Sequence, residues 1–228
     1  MTIGIIVAMS KELNLLIPQL EGHKETMVQN IAFHCGTIGQ HTVVAMQSGI
    51  GKVNAAVGTL TIINEFNPKL IINSGVAGGA NPKVNVMDIV VGTHIAYHDV
   101  YCGPKTIYGA VQGLPLYYRS APSVVAKVPQ EEGIHCGLIC TGDRFIESMQ
   151  EIIDIRGHFP DVLAVDMESG AIAQVCTIRE VPFISMRIIS DSPGASHNNI
   201  RQYQDFWEAA PQHTFEVLTK LISSLQNS

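Results

Sequence analysis

Glu12, Glu168 and Asp191 each follow closely on a largely apolar run that reads as a β-strand: Ile3 to Val7, Val162 to Asp166 and Pro182 to Ile189. In open α/β sheets ligands collect outside the carboxyl ends of the strands, where backbone groups and helix N-termini are exposed to them. In a parallel-type sheet all three acids can therefore point into one cleft. Taken singly, two of them have a plainer role. Glu12 precedes the helix pattern Leu13, Leu15, Leu16, Ile17, and Glu168 leads into Gly170-Ala171-Ile172-Ala173. An acid in a first helical turn gains ~0.3–1 kcal/mol from the helix dipole. The convergence of three acids needs more than that. Paired carboxylates suit glycosidic cleavage, in which one protonates the leaving group and another activates water against a cationic, oxocarbenium-like centre. A third can hold sugar hydroxyls.

The elements that must position these acids can be read along the chain. Phe33 to Gly36 and Thr42 to Gln47 form a hairpin pair around Gly39-Gln40, and Ser48-Gly49-Ile50-Gly51-Lys52 then opens a helix through about Phe66. A P-loop would need Gly at Met46 and Ser or Thr at Val53, and the dinucleotide fingerprint fails at Asn54. Gly49 and Gly51 instead suit close backbone approach of a neutral ligand. Lys69 to Asn73 is a buried strand closed by Ser74-Gly75-Val76-Ala77-Gly78-Gly79. Asp88 to Val91 and Thr93 to Tyr97 supply further strand, and the irregular segment from His98 to Tyr118 suits a binding loop or an interface. Gly137 to Cys140 runs into Thr141-Gly142-Asp143-Arg144-Phe145-Ile146 and a helix to about Arg156, with Phe145 a core residue by default. Ser192 to Arg201 has the composition of a flexible lid, and an amphipathic helix from about Gln202 to Leu225 completes the chain.

Composition bounds the function. The 228 residues fit one α/β domain of ~200–250 residues better than two small ones. A net charge of −6 without clustered Lys or Arg argues against a nucleic-acid surface and for a small-molecule partner. Met1 to Met9 is apolar but too short to span a membrane and has no basic n-region, so it reads as a strand and the protein as cytoplasmic. Cys35, Cys102, Cys136, Cys140 and Cys176 are odd in number and lack paired CxxC spacing. Cys136 and Cys140, four apart on one strand face, read as small buried hydrophobes. Neither the cysteines nor the nine histidines form a ligand-spaced metal set, and no organic cofactor is expected.

Six ordered motifs run through the chain: Ile3 to Met9 with Glu12; Ser48 to Val53; Ser74 to Gly79; Gly142-Asp143 with Phe145-Ile146; Ala164 to Glu168; and Arg187 to Asp191. Together they resemble the 5′-methylthioadenosine/S-adenosylhomocysteine nucleosidases of the purine nucleoside phosphorylase superfamily. The resemblance implies one nucleoside phosphorylase-like domain over residues 1–228, a three-layer sandwich with a mixed, mostly parallel central sheet flanked by helices. It also implies irreversible hydrolysis of an N-glycosidic bond, releasing adenine and a 5-thioribose product, and a homodimer.

By the same resemblance Glu12 is the general base on the attacking water, Arg187 helps to place that water, and Asp191 donates a proton to adenine N7. Glu168 bonds the ribose hydroxyls, and Met9 and Met167 pack on the sugar. Phe145 stacks on adenine, the Ile146 backbone reads its edge, and Ser190 steadies the base-binding segment. Ile50, Ala77 and Gly78 line the nucleoside site, and Tyr203 takes the place of a family phenylalanine over the 5′-alkylthio group. Val76 stands where many relatives have Ser, and Asp166 has no implied role. The resemblance leaves open the choice among methylthioadenosine, S-adenosylhomocysteine, 5′-deoxyadenosine and aminodeoxyfutalosine. A phosphorylase of the same superfamily holds phosphate largely with arginines from the first part of the chain, and here none precedes Arg119. A non-catalytic nucleoside-binding module would be free to lose a carboxylate, whereas all three are kept.

Overall fold

Strand β1 (Thr2–Val7) is apolar almost throughout because it is covered on both faces and flanked on both edges. It pairs in parallel with β4 (His41–Gln47) and with β5 (Leu70–Gly79). The computed structural model describes residues 1–194, 199–209 and 211–225. Helix α1 (Ser10–Leu16) and a 3-10 turn lead into the antiparallel strands β2 (Glu21–Val28) and β3 (Ile31–Ile38), which run on into β4. Helix α2 (Lys52–Phe66) returns the chain to β5 and is closed by Asn67 in the left-handed conformation, with φ 44°.

The second half supplies β6 (Ile89–Tyr97), β7 (Tyr118–Arg119), α3 (Pro122–Val125), β8 (Ile134–Thr141), α4 (Met149–His158), β9 (Val162–Asp166), α5 (Ser169–Ile178) and β10 (Phe183–Asp191). Helices α6 (Asn199–Ala209) and α7 (Pro211–Ser224) follow. All the strands belong to one mixed sheet, ordered β10-β6-β8-β9-β5-β1-β4-β3-β2, with β7 on β6. An additional β10–β5 pairing closes β5, β10, β6, β8 and β9 into a ring. Strand β5 makes this possible by its length: Leu70 to Asn73 face β1, Ile71 to Gly78 face β10, and Gly78-Gly79 meet β9.

The core lies on the two faces of the sheet. Ile3, Ile5 and Val7 pack with Leu13 and Leu16 of α1 and with Val217, Leu218 and Leu221 of α7. On the opposite face Ile6 and Ile71 pack with Ile62 of α2 and Ile172 of α5. A Cβ on Gly4 would come within 2.6 Å of Ile71 and 3.0 Å of Ile62, so a glycine there lets α2 settle closely on the sheet.

Three expectations are corrected, and a fourth falls partly outside the described residues. The continuous helix from Gln202 to Leu225 is two helices, because Pro211 cannot serve a helix interior and instead starts α7. The lid expected over Ser192 to Arg201 lies partly outside the described residues, and its last three positions already belong to α6. Cys136 is exposed while Cys140 is buried: β9 flanks β8 only from Leu138 onward, beyond Cys136. Phe145 is not core, being 41% exposed on the loop after β8.

Candidate active site

The carboxyl ends of β1, β5, β9 and β10 meet around one cleft. The expected parallel arrangement gathers β1, β5 and β10, and β9 is the exception. Strand β9 runs antiparallel to β5, and the two overlap at their last residues, Gly78 opposite Val165 and Gly79 opposite Ala164. Strand ends arriving from opposite directions therefore share one mouth. The cleft is lined by every residue that sequence reasoning placed there: Glu12, Glu168, Asp191 and Arg187, with Met9, Ile50, Ala77, Gly78, Phe145, Ile146, Met167, Ser190 and Tyr203.

Glu12 keeps its plain role and a second one. At the third position of α1 its Oε2 accepts the N–H groups of Ala8 and Met9, each at 2.9 Å, and its Oε1 accepts that of Val76 at 3.1 Å. It caps the helix while its carboxylate lies buried in the cleft wall. Burial raises its pKa, and Arg187 and the three N–H donors only partly counter that rise. Glu168, just before α5, accepts the Gly51 N–H at 3.0 Å on Oε1 and meets Arg187 Nη2 at 3.4 Å on Oε2. Desolvation pushes its pKa up to about 7, with Asp166 and Glu12 adding to the rise and Arg187 and Gly51 opposing it.

Asp191 is 2% exposed, and the Ser190 hydroxyl lies 2.7 Å from its Oδ1 and 3.2 Å from the Ala77 carbonyl. A register shift between Ile189 and Asp191 marks a bulge in β10. Strand alternation would send Ser190 and Asp191 to opposite faces, and the bulge lets both line the cleft.

Arg187 is buried in mid-strand. Its Nη2 lies 2.6 Å from Asp166 Oδ2, and its Nε and Nη2 donate to Ser169 Oγ at 3.3 and 3.2 Å. Burial works against its charge, and Asp166, Glu168 and Glu12 more than offset it. Asp166, unassigned from sequence, thus holds the guanidinium, and it also accepts the Thr141 hydroxyl at 2.6 Å, the Ser169 N–H at 3.2 Å and the Ser169 hydroxyl. Gly75, opposite Arg187 in the sheet, makes room: a Cβ there would fall 2.5 Å from Arg187 Nη1 and 2.6 Å from Glu12 Oε1. Neither role was visible in spacing alone: one depends on the end of β9 reaching Arg187 of β10, the other on Gly75 of β5 lying opposite it.

Apart from Arg144 the rest of the lining is largely apolar, and Tyr203 closes one side. Its ring stands edge-on to Phe145 with centroids 5.9 Å apart, and its hydroxyl donates to Met9 Sδ at 3.3 Å. Gly51 was expected to let a ligand approach, yet its N–H is taken by Glu168. Among the described residues no group of three or more His, Cys, Asp or Glu side chains is placed to hold a metal ion.

A family model of the phosphorylase superfamily matches residues 2–223. A 5′-methylthioadenosine/S-adenosylhomocysteine nucleosidase of an Exiguobacterium species is 38% identical over 236 residues, covering 100% of both chains. One from a Geobacillus species is 36% identical, covering 99% of this chain and 100% of the relative. The chain belongs to the 5′-methylthioadenosine/S-adenosylhomocysteine nucleosidases of the phosphorylase superfamily. The solved nucleosidase from Streptococcus pneumoniae, bound to the transition-state inhibitor MT-ImmA, superposes with a TM-score of 0.94 at 36% identity over 99% of this chain and 100% of that one. The nucleosidase family thus accounts for the mixed sheet with helices on both sides, and for a fold-wide rather than motif-only likeness.

Proposed function

We propose that the protein hydrolyses the N-glycosidic bond of 5′-methylthioadenosine and S-adenosylhomocysteine, releasing adenine and a 5-thioribose product. The observation that carries this reading is the set of three buried carboxylates, Glu12, Glu168 and Asp191, in one cleft whose buried cation, Arg187, is already matched by Asp166. The other arginine at the mouth, Arg144, pairs with Glu151 at 2.8 Å. Such a lining suits a neutral nucleoside and a cationic transition state and opposes an inorganic phosphate nucleophile. The names of the nucleosidase relatives support the same substrates.

In this reading Glu12 takes the proton of the attacking water, which Arg187 helps to place, and Asp191 delivers a proton to adenine N7. Glu168 bonds the ribose hydroxyls, and Met9 and Met167 pack on the sugar. Phe145 and the Ile146 backbone hold adenine beside Ala77, Gly78 and Ser190, and Ile50 and Tyr203 enclose the 5′-alkylthio group. Incubation with 5′-methylthioadenosine in phosphate-free buffer tests the reaction: adenine release supports it, and its absence at micromolar enzyme rejects it. Tyr203→Ala removes the aromatic wall of the 5′ end, together with its edge contact to Phe145 and its bond to Met9. The expected result is a KM for 5′-methylthioadenosine raised about tenfold with kcat changed less than about threefold, in line with loss of one packed ring. An unchanged KM places the 5′ group elsewhere.

We also read residues 1–228 as one domain that acts as a cytoplasmic homodimer. One sheet takes in all the described strands, and Cys102 and Cys136 are exposed free thiols, which suit a reducing compartment. Among the described residues no helix is long and apolar enough to cross a membrane. Val53, Val57 and Leu60 form an exposed apolar stripe at helical spacing on α2, next to exposed Ile50, and such a face fits a partner protomer.

A further inference from the structure

Asp99 stands just beyond β6 and lines no part of the cleft, yet two loops of the active site meet on its carboxylate. Its Oδ2 accepts Lys52 Nζ at 2.7 Å and the Asp143 N–H at 2.9 Å. Asp143 in turn accepts the Lys52 N–H at 2.7 Å on Oδ1. A Cβ on Gly142 would meet the His98 ring at 2.4 Å and Asp99 at 3.0 Å, and one on Gly51 would meet Asp143 Oδ1 at 3.0 Å. Glycine at both positions is what allows the two loops to close on one another.

The consequence reaches the site through single bonds. Gly51, immediately before Lys52, gives its N–H to Glu168, while Asp143 lies two residues before Phe145. We propose that Asp99 is a positioning residue: with Lys52 and Asp143 it clamps the Ser48–Lys52 turn to the Gly142–Ile146 loop, holding the Gly51 N–H on Glu168 and fixing the spacing between the sugar and base ends of the cleft. The catalytic consequence rests on the nucleosidase reading above; the mechanical one does not. Glu168 faces Arg187 and Asp166 from the neighbouring strands, Glu12 from α1, Tyr203 from α6 and the Gly51 N–H. Of these the clamp controls only the last. Loss of that donor removes one stabiliser of the carboxylate anion and moves its titration to higher pH. Around Asp99 itself the facing groups are Lys52, Asp143, Tyr97, Tyr108 and His98, whose pKa burial lowers.

The test compares wild type, Asp99→Asn, Lys52→Met and Lys52→Arg. For 5′-methylthioadenosine the first two variants are expected to lose about five- to tenfold in kcat/KM, the scale of a small misplacement of reacting groups. The acid limb of their kcat/KM profile moves to higher pH, while Lys52→Arg keeps wild-type values. Amide exchange by mass spectrometry supplies the mechanical readout: Asp99→Asn speeds exchange in residues 48–52, and Lys52→Met speeds it in residues 142–146, with the β1 and β5 amides unchanged. Normal exchange in both loops overturns the clamp whether or not the wild type releases adenine. Faster exchange with an unshifted acid limb overturns its link to Glu168. An inactive wild type rejects the nucleosidase reading and leaves the exchange result to decide the clamp.

Discussion

Asp191→Asn is expected to lower kcat for 5′-methylthioadenosine by ~10²–10⁴-fold, the contribution of one general acid, while the nucleoside still binds within about threefold of wild type. Adenine leaves poorly as an anion, so its ring nitrogen must gain a proton as the glycosidic bond breaks. Asparagine matches aspartate in shape, and its carbonyl can still accept the Ser190 hydroxyl that now reaches Oδ1 at 2.7 Å. It can offer a hydrogen bond to the base but has no acidic proton to transfer. Steady-state kinetics together with isothermal titration of a non-hydrolysable adenine nucleoside measure the two halves of the claim. Turnover within tenfold of wild type would refute the proton-donor role, and loss of binding in step with turnover would make Asp191 a binding residue only.

Glu12→Gln is expected to be as severe, with a further signature in stability. Backbone N–H groups address both oxygens of Glu12, two on Oε2 and one on Oε1. Whichever way the glutamine amide turns, its NH₂ group faces a donor. The mismatch costs ~1–3 kcal/mol, as an unsatisfied buried group does, and at this chain size each kcal/mol lowers Tm by about 2–4 °C. Kcat falls ~10²–10⁴-fold because the water loses its base. The pKa of Glu12 is raised by burial, and a base must be deprotonated to act, so wild-type kcat/KM should fall with acid already above the ordinary carboxylate range. Glu168, at about 7, adds to the same limb. A Gln variant with wild-type turnover at neutral pH would remove Glu12 from the mechanism.

Much of this site was legible because each of its acids follows a buried strand, and buried strands announce themselves as unbroken apolar runs. What the runs could not reveal was direction. Glu168 reaches the cleft from a strand antiparallel to β5, which follows from the ring closure through β10 and not from any local pattern. The Asp166–Arg187 pair was hidden for a related reason: an inward-facing acid and an inward-facing arginine are recognisable as such, but their partnership depends on Gly75 lying opposite Arg187. Strand β2 carries Glu21, His23, Lys24 and Glu25 and is exposed over nearly all its length, so no alternation marks it. The bulge that lets Ser190 and Asp191 both line the cleft leaves no trace in composition either. Glu12 shows the converse, since its helix-capping and cleft-lining roles were weighed as rivals and the geometry satisfies both.

The central claim is that a cleft rich in buried carboxylates uses water and not phosphate as its nucleophile. The most direct measurement is the rate of 5′-methylthioadenosine consumption across a phosphate titration, with the sugar product identified by mass spectrometry at the highest concentration. A rate independent of phosphate and free 5-methylthioribose as the sole sugar product are expected. A rate that rises with phosphate, or a sugar 1-phosphate among the products, would contradict the account.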